Sequence, residues 1–319
     1  PDSEIIPTTR SNGVLIANVA PGSGLVSGQS SIMMMDGWTW ENATIVHTSG
    51  LHVNWPNMGI RTRGRFPMSS KRQIEQRKKS LKSLDDMILS GRAYARLRKT
   101  QSLKAEEYHD EDLRLESLIP YVQKKLPIYV HANEVRQIEA AVHWANRHDL
   151  KIIIVGGKDA WRTTDLLITN KVPVIYENVT NLPSRRYEDY DQAYKAPALL
   201  HSAGVQFCIA SSGSAGAAYK VRNLPNQAAM AAAYGLPRDV ALRSITLSVA
   251  EIIGIDDKVG SLESGKDATL FISNGDPLEI RTNVLQVYIQ GRKIDMNDRH
   301  KTLYNKYQEK YRQLGILQE

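Results

Sequence analysis

The amino-acid sequence predicts an α/β fold, a TIM-type (β/α)8 barrel carrying a small β-sandwich appendage, on three observations. Apolar strand-like runs at Pro127–Ala132, Lys151–Val155, Val172–Tyr176 and Val205–Ala210 start about every 20 to 35 residues, the step of βα units. Alternation of such runs with helical patterns specifies a parallel sheet covered by helices. The runs lead into His131, Gly156-Gly157, Glu177-Asn178 and Ser211-Ser212-Gly213, and in a closed barrel these strand ends rim the mouth where chemistry sits. After Gly260 the texture changes to strand patterns separated by Asn274-Gly275-Asp276-Pro277 instead of helices. A chain of 319 residues exceeds the roughly 250 of a barrel, which leaves a smaller remnant.

The elements follow in order. Pro1–Asn12 is polar and feeds Gly13 and a buried strand, Val14–Val19. Pro21–Gly24 and Gly28–Ser30 read as one glycine-rich loop, without the Lys-Ser/Thr pair that a phosphate-binding P-loop requires. Ser31–Met35 is a short strand, and Leu51–Trp55 is another, with His52 and Asn54 on one face because side chains alternate. A long helix spans 69–99 with Gly91 as a break, and a second spans Asp112–Lys125, interrupted at Pro120. The third and fourth barrel strands have no clear counterpart here. Beyond His131, Asn133 is the expected N-cap of a helix carrying Val135, Ile138, Val142 and Ala145 at helical spacing. Helices are expected around 160–167, over Asp189–Ala203 with a kink at Pro197, and over Asn226–Tyr234. Pro237 opens another, and Ser248–Glu251 reads as a capping box starting one that Gly254 closes. Ala268–Ser273 and Val284–Gln290 are strands, and Asp298–Glu319 is an amphipathic helix. The domains are therefore 1–259, the barrel; 260–297, part of a small composite β-sandwich; and 298–319, a C-terminal helix.

Composition narrows the function classes. Hydrophobic residues make 42% and charged residues 24% of the chain, the balance of a globular protein. No run has the roughly 18 apolar residues of a membrane span. The single Cys208 lies in an apolar strand, which excludes an intrachain disulfide. The net charge is +7, and residues 61–104 alone hold fourteen Lys/Arg against Glu75, Asp85 and Asp86. A basic helix face without aromatic interleaving or zinc-finger spacing is a solvated face before it is a nucleic-acid site. Neither a nucleic acid nor a membrane is expected as a partner. The chain starts at Pro1 without a methionine, so an upstream segment is expected, and a cytoplasmic or periplasmic location stays open.

Gly260-Ser261-Leu262-Glu263-Ser264-Gly265-Lys266-Asp267-Ala268-Thr269-Leu270 followed by Gly275-Asp276-Pro277 resembles the C-terminal signature of the amidohydrolase superfamily, in its imidazolonepropionase-like and Xaa-Pro-dipeptidase-like branch. Ser248–Gly254 resembles the preceding helix, and with the strand ending in His131 and with Asn223-Leu224-Pro225 the likeness runs from about Gly13 to Lys293. The resemblance implies metal-dependent hydrolysis of C–N bonds, in which a divalent ion polarises the carbonyl and activates water. It implies a His-x-His pair on the first strand, often a bridging Lys or Glu, single histidines after strands five and six, and an Asp after strand eight. His131 matches the fifth-strand histidine; Gly156 stands at the sixth-strand histidine, and Ser212 or Gly213 at the Asp. No His-x-His occurs among His47, His52, His109, His131, His143, His148, His201 and His300. By this resemblance the chain opens just before the second strand, so the barrel lacks its first strand and several metal ligands are replaced.

The candidate site is therefore His131 and Ser212 as catalytic residues, His131 also as a metal ligand, and Asn54, Asn133, Glu177, Asn178 and Ser211 around the substrate. His52, His143, His148 and His201 read as structural, three of them on helices. The resemblance implies a hydrolase of non-peptide or dipeptide C–N bonds. The alternative is a catalytically degenerate homologue kept as a ligand-binding or structural subunit. The cofactor implied is a divalent metal, zinc foremost, if an upstream segment completes the site, and otherwise none in this chain. The partner is a small or dipeptide-like substrate, with a homo-oligomer left open.

Overall fold

The structure, a computed structural model, describes residues 3–60, 68–101, 111–212 and 216–317. After a short helix α1 (Ile5–Arg10), strands β1 (Ile16–Val19) and β2 (Val26–Met34) form a hairpin; the single turn α2 (Trp40–Ala43) leads into β3 (Thr44–Asn54). These strands are longer than their apolar runs suggest. Gly28, Gln29 and Ser30, expected in a loop, pair instead with His52, Leu51 and Gly50. Buried hydroxyls hold them there: Ser30 Oγ and Ser49 Oγ lie 2.7 Å apart, and Ser49 donates to Asn18 Oδ1 at 2.9 Å. A polar strand face can be buried when its groups bond one another.

Helix α3 (Ser70–Gln101) then packs Leu84 and Ile88 into the core. Gly91 does not break it. A Cβ at Gly91 would lie 3.1 Å from Leu118 Cβ, so the glycine serves close approach to α5 (Ile119–Val122), which follows the single turn α4 (Leu113–Glu116). Asp112 caps α4 by accepting from the Arg114 and Leu115 amides, and Pro120 sits in the first turn of α5, where a missing N–H costs nothing.

The parallel part follows as β4 (Ile128–Ala132), α6 (Val135–Arg147), β5 (Ile152–Gly156), α7 (Thr164–Thr169), β6 (Val174–Glu177), α8 (Gln192–Ala203) and β7 (Phe207–Ala210). Glu134, not Asn133, caps α6. It shares a capping box with Gln137, whose side-chain oxygen accepts from the Asn133 and Glu134 amides. One seven-stranded sheet runs in order β1 to β7, with β1, β2 and β3 antiparallel and β3 through β7 parallel. The barrel expected from sequence is thus a curled half-barrel whose first strands form a meander.

Strands β3, β4, β5 and β7 bury residues on both faces, as a sheet covered on both sides requires, while β6 buries Val174 and Tyr176 and leaves Ile175 and Glu177 half-buried. Leu51, Val53, Ile128, Val130, Ile154, Val174 and Ile209 face the helices. Tyr129, Ile153, Val155 and Cys208 face the other way, against Ile252 and Val249. These last two belong to α11 (Leu247–Ile253), which follows α9 (Leu224–Ala233) and α10 (Arg238–Ser244). Helix α11 starts after Thr246, so Ser248 lies inside it, where its Oγ accepts from Arg243; Gly254 closes it at φ 75°. Strands β8 (Leu270–Ser273), β9 (Val284–Ile289) and β10 (Arg292–Ile294) form a second, antiparallel sheet. Its Val287, Ile289 and Ile294 pack on Leu15 and Met34. Helix α12 (Arg299–Gln313) ends the described chain, capped by Asp298.

Candidate active site at the strand ends

Strands β3 and β4 lie side by side in register, with His52 opposite Tyr129 and Asn54 opposite His131. Paired residues share a face, so all four point to the concave side. Gly50 leaves room there for the Tyr129 ring, since a Cβ at that position would lie 2.2 Å from Tyr129 Cε2. The Tyr129 ring stacks on His52 with centroids 4.7 Å apart and planes at 17°. His52 in turn meets His131, with Nδ1 of the first 2.9 Å from Nε2 of the second. One ring nitrogen donates and the other accepts, which is possible only while the pair is not doubly protonated.

Burial keeps it so. His52 is 4% exposed, and desolvation, then the neighbouring His131, hold its pKa at about 4. Desolvation lowers His131 as well. The remaining ring nitrogen of His52, Nε2, is buried and bonded to nothing among the described residues. His131 is only half-buried, so it is the member of the pair that meets solvent.

Glu177 ends β6 on the same face, paired with Ala210. Its carboxyl is half-buried, makes no hydrogen bond or ion pair among the described residues, and is pushed above the usual carboxylate range by burial. It stands two strands from His131, roughly 10 Å at ordinary strand spacing. Asn178 follows in the left-handed region at φ 60°, its amide donating to Ala210 O at 3.2 Å. Ser211 and Ser212 are half-buried just beyond β7. Gly213 lies outside the described residues.

Two candidates are placed differently. The Asn54 side-chain amide donates to Gly24 O at 2.7 Å and Ser27 Oγ at 2.9 Å, which ties the end of β3 to the start of β2. Asn133 is exposed and lies over Gly156, where a Cβ would come within 2.6 Å of Asn133 Oδ1. Among the predicted residues, then, His131, Glu177, Asn178, Ser211 and Ser212 share one end of the sheet. No side-chain hydrogen bond or ion pair joins any two of them.

Two features were missed by sequence reading. His52 is one; its shared face with Asn54 was legible, but its neighbour across the strands was not. The other is a clamp between the loops after β5 and β6. Arg185 donates to both carboxylate oxygens of buried Asp159, at 2.9 and 2.5 Å, and also to Glu188. Lys158 reaches Leu182 O and Ser184 Oγ across the same gap.

A catalytic ion takes three protein ligands or more. Among the described residues, no three His, Cys, Asp or Glu side chains come close enough to share one. His52 and His131 supply two nitrogens that bond each other, and a side chain at Gly156, where φ is 92°, would displace Asn133. The donor set does not fit a complete site.

A parallel sheet with polar side chains gathered at its strand ends is the arrangement in which barrel enzymes place their chemistry. Residues 124–294, more than half the chain, match the Amidohydrolase family, and the chain belongs to that family. The amidohydrolase from Thermotoga maritima MSB8 shares the fold at a TM-score of 0.76 and 24% identity, over 91% of this chain and 74% of its own. Amidohydrolase tasK of Hapsidospora irregularis is 25% identical over 190 residues, 58% of this chain. Those residues cover 19% of that relative, so the chain spans about a fifth of its length.

Proposed function

We propose that the protein hydrolyses C–N bonds of small amide or dipeptide-like substrates at the C-terminal end of the parallel strands. The observation that carries this reading is the buried, neutral His52–His131 contact at the ends of two adjacent parallel strands. Amide hydrolysis needs a base for the attacking water and a proton for the leaving nitrogen. His131, half-exposed and with its pKa lowered by burial, is placed to take the proton from water, and His52 orients its ring and shares the proton along the 2.9 Å contact. Glu177, whose pKa burial raises, is placed to return a proton to the leaving nitrogen. Asn178, Ser211 and Ser212 would hold the substrate carbonyl. Family members are commonly metal-dependent, and a bound divalent ion would polarise that carbonyl. The donor set here does not complete such a site, so no step is assigned to it.

The incomplete donor set supports a second reading, a degenerate homologue that binds the same class of small molecule without turning it over. Packing of Val287 and Ile289 on Leu15 and Met34 supports a small β-sandwich beside the half-barrel, and with it the division at residues 259 and 297. Assay of purified protein against N-acyl amino acids and Xaa-Pro dipeptides tests both readings. Turnover by the wild type and its loss in His131→Ala are expected. Turnover unchanged in that variant would defeat the proposed site, and saturable binding without turnover would favour the degenerate homologue.

A further inference from the structure

Helix α12 carries an exposed stripe that none of the described residues covers. Its N-terminus is anchored: Asp298 accepts from Ser11 Oγ at 2.7 Å and from the His300 and Lys301 amides. Beyond that first turn no residue of the helix is buried, and its fifteen residues run about 22 Å. Tyr304, Tyr307, Tyr311 and Leu314 follow at steps of three, four and three residues, which places them, with Leu303, on one helical face. Their exposures run from 40% at Leu303 to 66% at Tyr304. Lys306 and Lys310 flank the stripe on one side, and Lys301 and Arg312 on the other. Lys310 Nζ sits 5.9 Å from the Tyr307 ring. Glu309, the one acid of the helix, pairs with Arg312 at 3.6 Å.

We propose that α12 docks this protein on an anionic lipid surface. The two cationic flanks decide against a second copy, since a two-fold pair of these helices would set lysine against lysine along both edges. The arrangement suits a bilayer interface: the apolar stripe enters at headgroup depth, where tyrosine rings are favoured, and the lysine and arginine stems extend sideways to the phosphates. No described helix is long and apolar enough to cross a membrane, so the protein would lie on the surface. The net charge of +7 adds attraction of the same sign. This departs from the sequence-based expectation that no membrane takes part, and it is independent of the strand-end site.

The test is co-sedimentation of the full chain with phosphatidylcholine vesicles with and without phosphatidylserine. Binding is expected only with phosphatidylserine and should weaken as salt rises. Tyr307→Ser/Tyr311→Ser and Lys306→Glu/Lys310→Glu should each weaken it about tenfold or more. Tyr307→Leu/Tyr311→Leu should retain it, which separates loss of the apolar stripe from loss of the helix. No sedimentation of the wild type with phosphatidylserine vesicles would overturn the proposal. So would equal binding by the serine variant, because charge elsewhere would then suffice. A wild-type dimer that the serine variant dissolves would overturn it too, in favour of self-association.

Discussion

Burial lowers the pKa of both histidines, and the protein's response to acid follows from it. The folded pKa of His52 is about 4 against an ordinary 6.5. Between those values the unfolded chain binds a proton that the folded chain refuses, so stability falls as pH drops from 6.5 towards 4 and levels off below. A shift of that size corresponds to about 3 kcal/mol. Urea titrations should therefore show wild type losing more stability over this window than His52→Asn; parallel losses in the two proteins would show that the histidine does not couple to folding. Glu177 acts in the opposite sense. Its raised pKa means that the folded state holds the proton more tightly than the unfolded state, so ionising the carboxyl destabilises the fold. Glu177→Gln should leave stability at neutral pH equal or higher while abolishing turnover. A variant that is both destabilised and active would argue that Glu177 is structural.

At the scale of elements, Gly50 on β3 holds the site's geometry. Alanine there would meet Tyr129 Cε2 at 2.2 Å and the Pro127 carbonyl oxygen at 2.9 Å. A swing of the ring relieves only the first clash, so Gly50→Ala should cost about 3 kcal/mol, the upper range for overpacking. An unchanged melting temperature would mean that β3 and β4 separate more easily than their register suggests. The same strands show what was legible in the sequence. Strands β4 to β7 could be read because each is a short apolar run bounded by turns, and with them came His131, Glu177, Ser211 and Ser212 as strand-end residues. The β2–β3 meander was not legible, since Ser30, Ser49 and Gly50 interrupt the apolar pattern and are buried by bonding one another. His52 was missed for a related reason: its partner lies 79 residues away, and only the adjacency of β3 and β4 brings them together. Helix boundaries went wrong where two capping residues competed, as Asn133 and Glu134 do before α6.

For the whole molecule, the question is what the two sheets and the two histidines can hold together. Ile289 is fully buried where the three-stranded sheet meets β1 and β2, so Ile289→Ala should cost about 3 kcal/mol. The loss should appear in one cooperative unfolding transition, whereas an early separate transition would show residues 260–297 folding on their own. Metal content is decided at the same scale. An ion held by His52 and His131 alone would have half of the usual four ligands. The pair would also have to give up its mutual 2.9 Å hydrogen bond to aim both nitrogens at one point. Among the described residues no third His, Cys, Asp or Glu joins them: Glu177 stands two strands away, and the fold does not admit a side chain at Gly156. The chain of 319 residues is therefore expected to purify with far less than one transition-metal ion per molecule at the strand ends. Its melting temperature should not move on adding a chelator, because a ligand bound only to the native state stabilises it by mass action and none is there to remove. Elemental analysis and a chelator melt measure both quantities. One tightly held zinc per chain, lost together with stability on chelation and absent from His131→Ala, would overturn this expectation and restore a metal-dependent mechanism.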